Sequence, residues 1–247
     1  MLSVNLRGGL GNQLFQLAAA ETIASQTNRT MVLTQTTTPP THHSRSNYFE
    51  TILRQWAPLI RSPMASTTIR EPSYALQPWT TLIPDDVPCV TLEGYFQNVG
   101  YIPASFCSRL ELPSVSVDPS SVFLHVRGGD YVGHPLHDMQ LGATYYPWAI
   151  SQFPSDTHFL VLTNDIPYAK TLPCLSSVSH SFLNVDELHA LSVMQACAGG
   201  ICANSTFSWW GAYLRPERPI VVPSRWFHDP TIVVDGYFVP GWIKGPV

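Results

Sequence analysis

Five short apolar runs, at residues 122–126, 159–163, 182–185, 200–203 and 220–222, occupy the second half of the chain. They show no polar alternation, which suits parallel strands, since only a sheet covered on both faces buries every side chain of a strand. Helical patterns lie between them, at 145–153, 168–172, 186–198 and 206–214. Asp186 is placed to cap the third, and Leu188, Leu191, Met194 and Ala198 form an apolar stripe along it. Strands alternating with helices predict a doubly wound α/β domain.

The first half repeats this in part. Leu2, Val4 and Leu6 alternate with polar residues, Gly8, Gly9 and Gly11 punctuate a turn, residues 13–26 carry Leu14, Leu17 and Ala18 at helical spacing, and 31–33 reads as a second strand. From 34 to 88 periodicity is poor. The 22 prolines are dense across 39–119, nearly double the usual ~5% over the whole chain, and predict loops around short helices, of which 48–56 is the clearest. Residues 90–96 read as a strand and 113–119 as a linker. The expected architecture is α/β, with two Rossmann-like domains facing a central cleft. The first, 1–112, is smaller and loop-rich; the second is 113–247, and its C-terminal tail is free to pack back on the first.

Charge narrows the function. Asp plus Glu number 17 against 13 for Lys plus Arg, a net charge of −4, so no global basic field is present to grip nucleic acid. Any anion must be held locally. No apolar run reaches membrane-span length, and the N-terminus lacks the pattern of a signal peptide, so the expectation is a soluble, cytoplasmic chain. The five cysteines form no C-x-x-C pair and read as reduced thiols. Asn28-Arg29-Thr30 and Asn204-Ser205-Thr206 match the glycosylation acceptor, which matters only in a secreted protein.

Four segments carry polar chemistry at strand ends. Arg7-Gly8-Gly9-Leu10-Gly11-Asn12-Gln13 is a glycine-rich strand-to-helix turn able to bring backbone N–H groups to an anion. It departs from the dinucleotide fingerprint, which makes a nucleotide-dependent oxidoreductase a distant reading, and it is equally compatible with a tight structural turn. His125-Val126-Arg127-Gly128-Gly129-Asp130-Tyr131 sets a guanidinium, a rigid fork of donors suited to phosphate, at the end of a buried strand. A structural Arg127–Asp130 ion pair is the alternative. Asn204-Ser205-Thr206-Phe207 offers hydroxyls and free N–H groups at a helix start, and Thr163-Asn164-Asp165 ends another strand with groups able to read a purine edge or to cap a helix. His42-His43 and the His134, His137, Asp138 group tempt a metal reading, but Pro135 interrupts the latter, no third ligand follows at a telling spacing, and no D-x-D is present. No metal is expected.

Taken together, Gly8 to Gln16, His125-Val126-Arg127-x-Gly129-Asp130-Tyr131 and Ala203 to Ala212 resemble the α-1,2-fucosyltransferase family, glycosyltransferase family 11. Tyr145-Tyr146-x-x-Ala149-Ile150, Thr163-Asn164-Asp165 and Val222-Pro223-Ser224-x-Trp226-Phe227 are also similar to its pattern. The resemblance implies a GT-B architecture, GDP-β-L-fucose as donor substrate, a glycan acceptor such as a galactoside joined in α-1,2 linkage, inversion at the anomeric carbon, and no metal or other cofactor. It implies that Arg127 binds the diphosphate and that Asn204, Ser205, Thr206 and Phe207 line the phosphate site. Gly9, Gly11 and Asn12 would close over that site from the other domain, with His125, Asn164 and Asp165 near the nucleoside, so that 113–247 would be the GDP-sugar-binding domain and 1–112 the acceptor side. Asp130 is the nearest carboxylate for a general base, ahead of His125, Glu21 and Asp138. Position 128 is Gly where the family usually carries a second Arg, so a non-catalytic sugar-nucleotide or glycan-binding module is the alternative.

Overall fold

The computed structural model describes residues 1–34, 48–62 and 65–247. The loop expected at 36–40 and the pair His42-His43 lie outside them. The chain divides into two compact units, one of Met1–Glu111 with Val234–Phe238, the other of Leu112–Val233 with Val239–Val247.

The first unit runs β1 (Leu2–Val4), α1 (Leu10–Gln26), β2 (Met31–Thr34), β3 (Ile60–Arg61), β4 (Thr67–Arg70), α2 (Trp79–Leu82) and β5 (Val90–Glu93). Its strands form one sheet in the order β3-β2-β1-β5-β4. Every pairing is parallel, with Leu2 opposite Met31 on one side and Val90 on the other. Leu14, Phe15, Leu17, Ala18 and Ile23 of α1 are buried with Leu2, Val4 and Leu92 of the strands, so the Ala/Leu-rich run is the sheet's cover. Three details differ from the sequence reading. The stretch 34–88 contributes two strands that show no apolar run, because β3 has two residues and β4, on the sheet edge, is largely exposed. The helix expected over 48–56 is two separate 3-10 turns, the second carrying Pro58. β5 stops at Glu93, ahead of Phe96, whose φ of +52° breaks the strand.

The second unit runs β6 (Val122–Val126), α3 (Tyr145–Ile150), β7 (Phe159–Thr163), α4 (Ile166–Lys170), β8 (His180–Leu183), α5 (Glu187–Ala196), β9 (Gly199–Ile201), α6 (Thr206–Tyr213), β10 (Ile220–Pro223) and β11 (Ile243–Gly245). All six strands are parallel, in the order β11-β10-β9-β6-β7-β8. That is Rossmann order, with two further strands following the first on one side and three on the other. Every residue of β6 is buried, as its apolar run predicts. Asp186 caps α5, its Oδ1 accepting the N–H of Leu188 and of His189 at 3.0 Å. The buried face of α5 is broader than the expected stripe: Ala190, Leu191, Ser192, Val193 and Met194 are all buried, while Leu188 and Ala198 are partly exposed. Gly200 is required where it stands, because a Cβ there would lie 2.0 Å from the ring of Phe123.

Candidate functional site

Sequence order in the second sheet reverses at β6, with β7 on one side and β9 on the other. The connections leaving the carboxyl ends of β6 and β9 therefore diverge, and in open parallel sheets that divergence opens the ligand crevice. Arg127 follows β6, and Asn204, Ser205 and Thr206 follow β9 into α6. The ring of His125 lies 5.8 Å from that of Phe207 in the first turn of α6, so the two strand ends meet.

Arg127 is held from two directions. Its Nη2 donates to Asp130 Oδ1 at 2.6 Å, and its guanidinium carbon lies 4.8 Å from the centroid of Tyr131. Its Nε is buried without a hydrogen-bond partner. The guanidinium is thus fixed over an aromatic ring by one carboxylate. A cluster of rings continues from it: Tyr131 stacks on His137 with centroids 4.6 Å apart and planes 14° apart, and His134 and Phe227 pack on His137 at 4.7 and 5.6 Å. Burial first, then the charge of His134, moves His137 below its ordinary pKa.

The loop from β6 is clamped from β7. Asn164 Oδ1 accepts the Gly128 N–H at 3.0 Å and Asn164 Nδ2 donates to the Gly128 carbonyl at 3.3 Å. Asp165 Oδ2 accepts the Gly129 N–H at 3.0 Å, while its Oδ1 caps α4 by accepting the Tyr168 N–H at 3.0 Å. Asn164 and Asp165, expected near a nucleoside, have these side-chain bonds to the loop that carries Arg127. A Cβ at position 128 would lie 2.8 Å from both Asp165 Cβ and Tyr168 Cδ1, and Gly129 has φ +58°. The glycine at 128 is therefore a packing requirement of this chain.

Asn204 is 2% exposed, and its Nδ2 donates to the carbonyls of His137 and Trp226 at 3.0 and 3.1 Å. It locks the ring cluster to the start of α6, and its burial closes it to glycosylation in the folded chain. Ser205 is the N-cap of α6, accepting the Phe207 N–H at 3.4 Å, and the helix dipole supplies positive potential there. His125 is fully buried with Nδ1 unpartnered, and burial together with Arg127 lowers its pKa to about 3.

In the first unit, the Gly8 to Gln16 motif proves to be a buttressed turn. Gln16 accepts the Arg7 N–H at 2.8 Å and donates to the Arg7 carbonyl at 3.0 Å, and Gln13 donates to the Gly8 carbonyl at 2.8 Å. Gly8 has φ +80°, Gly9 is the N-cap of α1 with no side-chain cap, and Gly11 is buried in its first turn. Asn12 Oδ1 accepts from Gln97 Nε2 at 2.7 Å. Two of the weaker base candidates are structural. Glu21 receives both Arg109 Nη1, at 2.8 Å, and Arg109 Nη2, and also Trp56 Nε1 at 2.6 Å. Asp138 accepts the N–H groups of Gly133 and Gln140 at 2.7 and 3.0 Å. Sequence reasoning did not single out Gln13, Gln16 or Tyr131 for their roles; Gln13 and Gln16, one helical turn apart on an otherwise apolar face, were the available signal.

Among the described residues no group of three or more His, Cys, Asp or Glu side chains is arranged to hold a metal, and no helix is long and apolar enough to cross a membrane. The five thiols are unbridged, and burial pushes that of Cys202 up to about 12.

Two parallel α/β sheets, the second with a cation and a helix start at its switch point, define a GT-B-type chain. The same architecture occurs in the fucosyltransferase NodZ from Bradyrhizobium, at TM-score 0.54 and 15% identity over 87% of this chain and 93% of that one. It occurs also in apo POFUT1, at TM-score 0.53 and 12% identity over 90% and 97%. In sequence, the chain is 31% identical over 117 residues to the O-antigen biosynthesis glycosyltransferase WbnK of Escherichia coli, a stretch covering 42% of this chain and 38% of WbnK. The model of glycosyl transferase family 11 matches residues 104–244, and the chain belongs to that family.

Proposed function

We propose that the chain is an inverting fucosyltransferase that moves L-fucose from GDP-β-L-fucose to a hydroxyl of a glycan, a galactoside in α-1,2 linkage, without a metal ion. The observation that carries this is Arg127, a cation fixed by Asp130 and Tyr131 at the end of β6, whose neighbour β9 leads into α6. Family membership supports glycosyl transfer, and NodZ, of the same fold, has been soaked with GDP-fucose.

In the proposed reaction the acceptor oxygen forms a bond to the anomeric carbon on the face opposite the diphosphate. The bond from that carbon to the β-phosphate oxygen breaks, GDP leaves with the electron pair, and the acceptor hydroxyl proton passes to a base or to water. Positive charge develops on the sugar and negative charge on the leaving diphosphate. Fixed donors at the phosphate lower the barrier because they gain more in the transition state than in the ground state. Arg127, the first-turn N–H groups of α6 and the hydroxyls of Ser205 and Thr206 are assigned this work, with His125 and Phe207 behind them. Asp130 holds Arg127, and we assign it that positioning role in place of general base.

The test is transfer from GDP-fucose to a panel of galactosides and deoxysugar glycosides with EDTA present. Transfer is expected, and the product of a galactoside acceptor should be α-1,2-linked. Binding of GDP with no transfer and no donor hydrolysis across the panel would favour a non-catalytic module instead.

A further inference from the structure

The first unit carries a second recess that the donor reading does not use. It lies at the carboxyl ends of β1, β4 and β5, lined by Arg7, Arg70, Glu71, Tyr74, Glu93 and Tyr95, with about 750 Å³ of space including open solvent. β1 and β5 are neighbours in this sheet, so Arg7, which follows β1, and Glu93, which ends β5, meet at its carboxyl edge.

Its charges are matched. Glu93 Oε2 accepts from Arg70 Nε at 2.7 Å and Glu93 Oε1 from Arg7 Nη1 at 3.4 Å, so both arginines share one carboxylate. Glu71 adds a further carboxyl. Two cations facing two carboxyls make a poor site for an anion, but they offer many donors and acceptors to a neutral polyhydroxylated ligand. The aromatic component is built deliberately. Tyr95 carries the Arg7 guanidinium 4.9 Å from its ring centroid. Its backbone N–H and that of Phe96 both donate to Glu71 Oε2, at 2.9 and 2.8 Å, while Glu71 Oε1 is buried and unpartnered. Gly94 makes this possible, since a Cβ there would lie 2.5 Å from Glu71 Cβ. Phe96 takes the unfavourable φ of +52° in the same turn. Non-glycine strain held by a buried carboxyl fits a turn shaped for a ligand.

We propose that this recess is the acceptor site and takes a neutral pyranoside, whose hydroxyls meet Arg7, Arg70 and Glu93 and whose C–H face lies on an aromatic wall that includes Tyr95. The assignment to the acceptor rests on the transferase reading above; the sugar site itself does not.

Saturation-transfer NMR on the full chain without donor, using methyl glycosides of galactose, glucose, N-acetylglucosamine and rhamnose with sialic acid as the acidic control, tests it. At least one neutral glycoside is expected to bind and sialic acid is not. Tyr95→Ala should weaken that binding about tenfold or more, and Tyr95→Phe, which keeps the ring, should leave it within about threefold. GDP titration of the same samples reads the other site and reports folding. Equal binding of the glycoside to wild type and Tyr95→Ala, or binding of none of the panel by protein that binds GDP, would overturn the proposal. Tyr95-dependent sugar binding by protein that fails to bind GDP would uphold the sugar site and remove the donor reading.

Discussion

Asn164 brackets Gly128, accepting its N–H at 3.0 Å and donating to its carbonyl at 3.3 Å, and so fixes the loop that aims Arg127. The residue that replaces the family's usual second arginine is thus built into the support of the first.

Gly128→Arg should therefore not strengthen the site. Its Cβ would press on Asp165 Cβ and Tyr168 Cδ1, each 2.8 Å away, and the expected cost is about 1–3 kcal/mol with no gain in turnover. Urea denaturation and initial rates of the purified variant check both. Asn164→Ala should lower stability by about 1–3 kcal/mol through two lost hydrogen bonds and lower kcat along with it.

His125 makes acid stability a readout of the site. Its folded pKa, lowered from 6.5 to about 3, means the unfolded chain binds a proton that the folded chain refuses. Stability from this residue is complete above pH 6.5 and is lost at about 1.4 kcal/mol per pH unit as pH falls toward about 3. His125→Phe should flatten that part of the acid limb relative to wild type, measured by denaturant titration at stepped pH.

Glu71 has the opposite sign. Burial holds its carboxyl above the ordinary 4.5, so its contribution is fully present below that pH and is lost as pH rises through the folded value. Glu71→Gln keeps an acceptor for Tyr95 and Phe96 and removes the charge. Its Tm relative to wild type should rise between acidic and neutral pH.

Glu21 should separate stability from catalysis. Glu21→Gln weakens its bonds to Arg109 and Trp56, with an expected loss of about 1.5–3 kcal/mol, while kcat at a temperature where the variant is folded should stay within about twofold.

The sequence was most readable where burial is complete on both faces. β6, with every residue apolar or buried, is found over the same residues that its apolar run predicts, and so is β7. It was least readable at β4, whose Thr67-Thr68-Ile69-Arg70 lies on an edge and is mostly exposed, because its existence depends on pairing with β5 rather than on its own pattern. At the site, Arg127 and α6 were legible because strand ends and helix starts leave a local signature. The roles of Asn164, Asp165 and Asn204 as clamps were not, since an amide at a strand end reads identically whether it faces a ligand or a loop carbonyl contributed by a distant segment. The acceptor-side recess was hidden for the same reason: Glu71 reaches the N–H groups of Tyr95 and Phe96 across more than twenty residues of sequence.

Arg127 is assigned to stabilise the departing diphosphate, and the rate of fucose release from GDP-fucose by wild type, Arg127→Ala and Arg127→Lys, each shown folded by its unfolding transition, reads that role. Loss of the fork should lower the rate on the order of 10²–10³ in both variants, because lysine restores the charge but not the paired donors. Near-native turnover by Arg127→Ala would contradict the assignment.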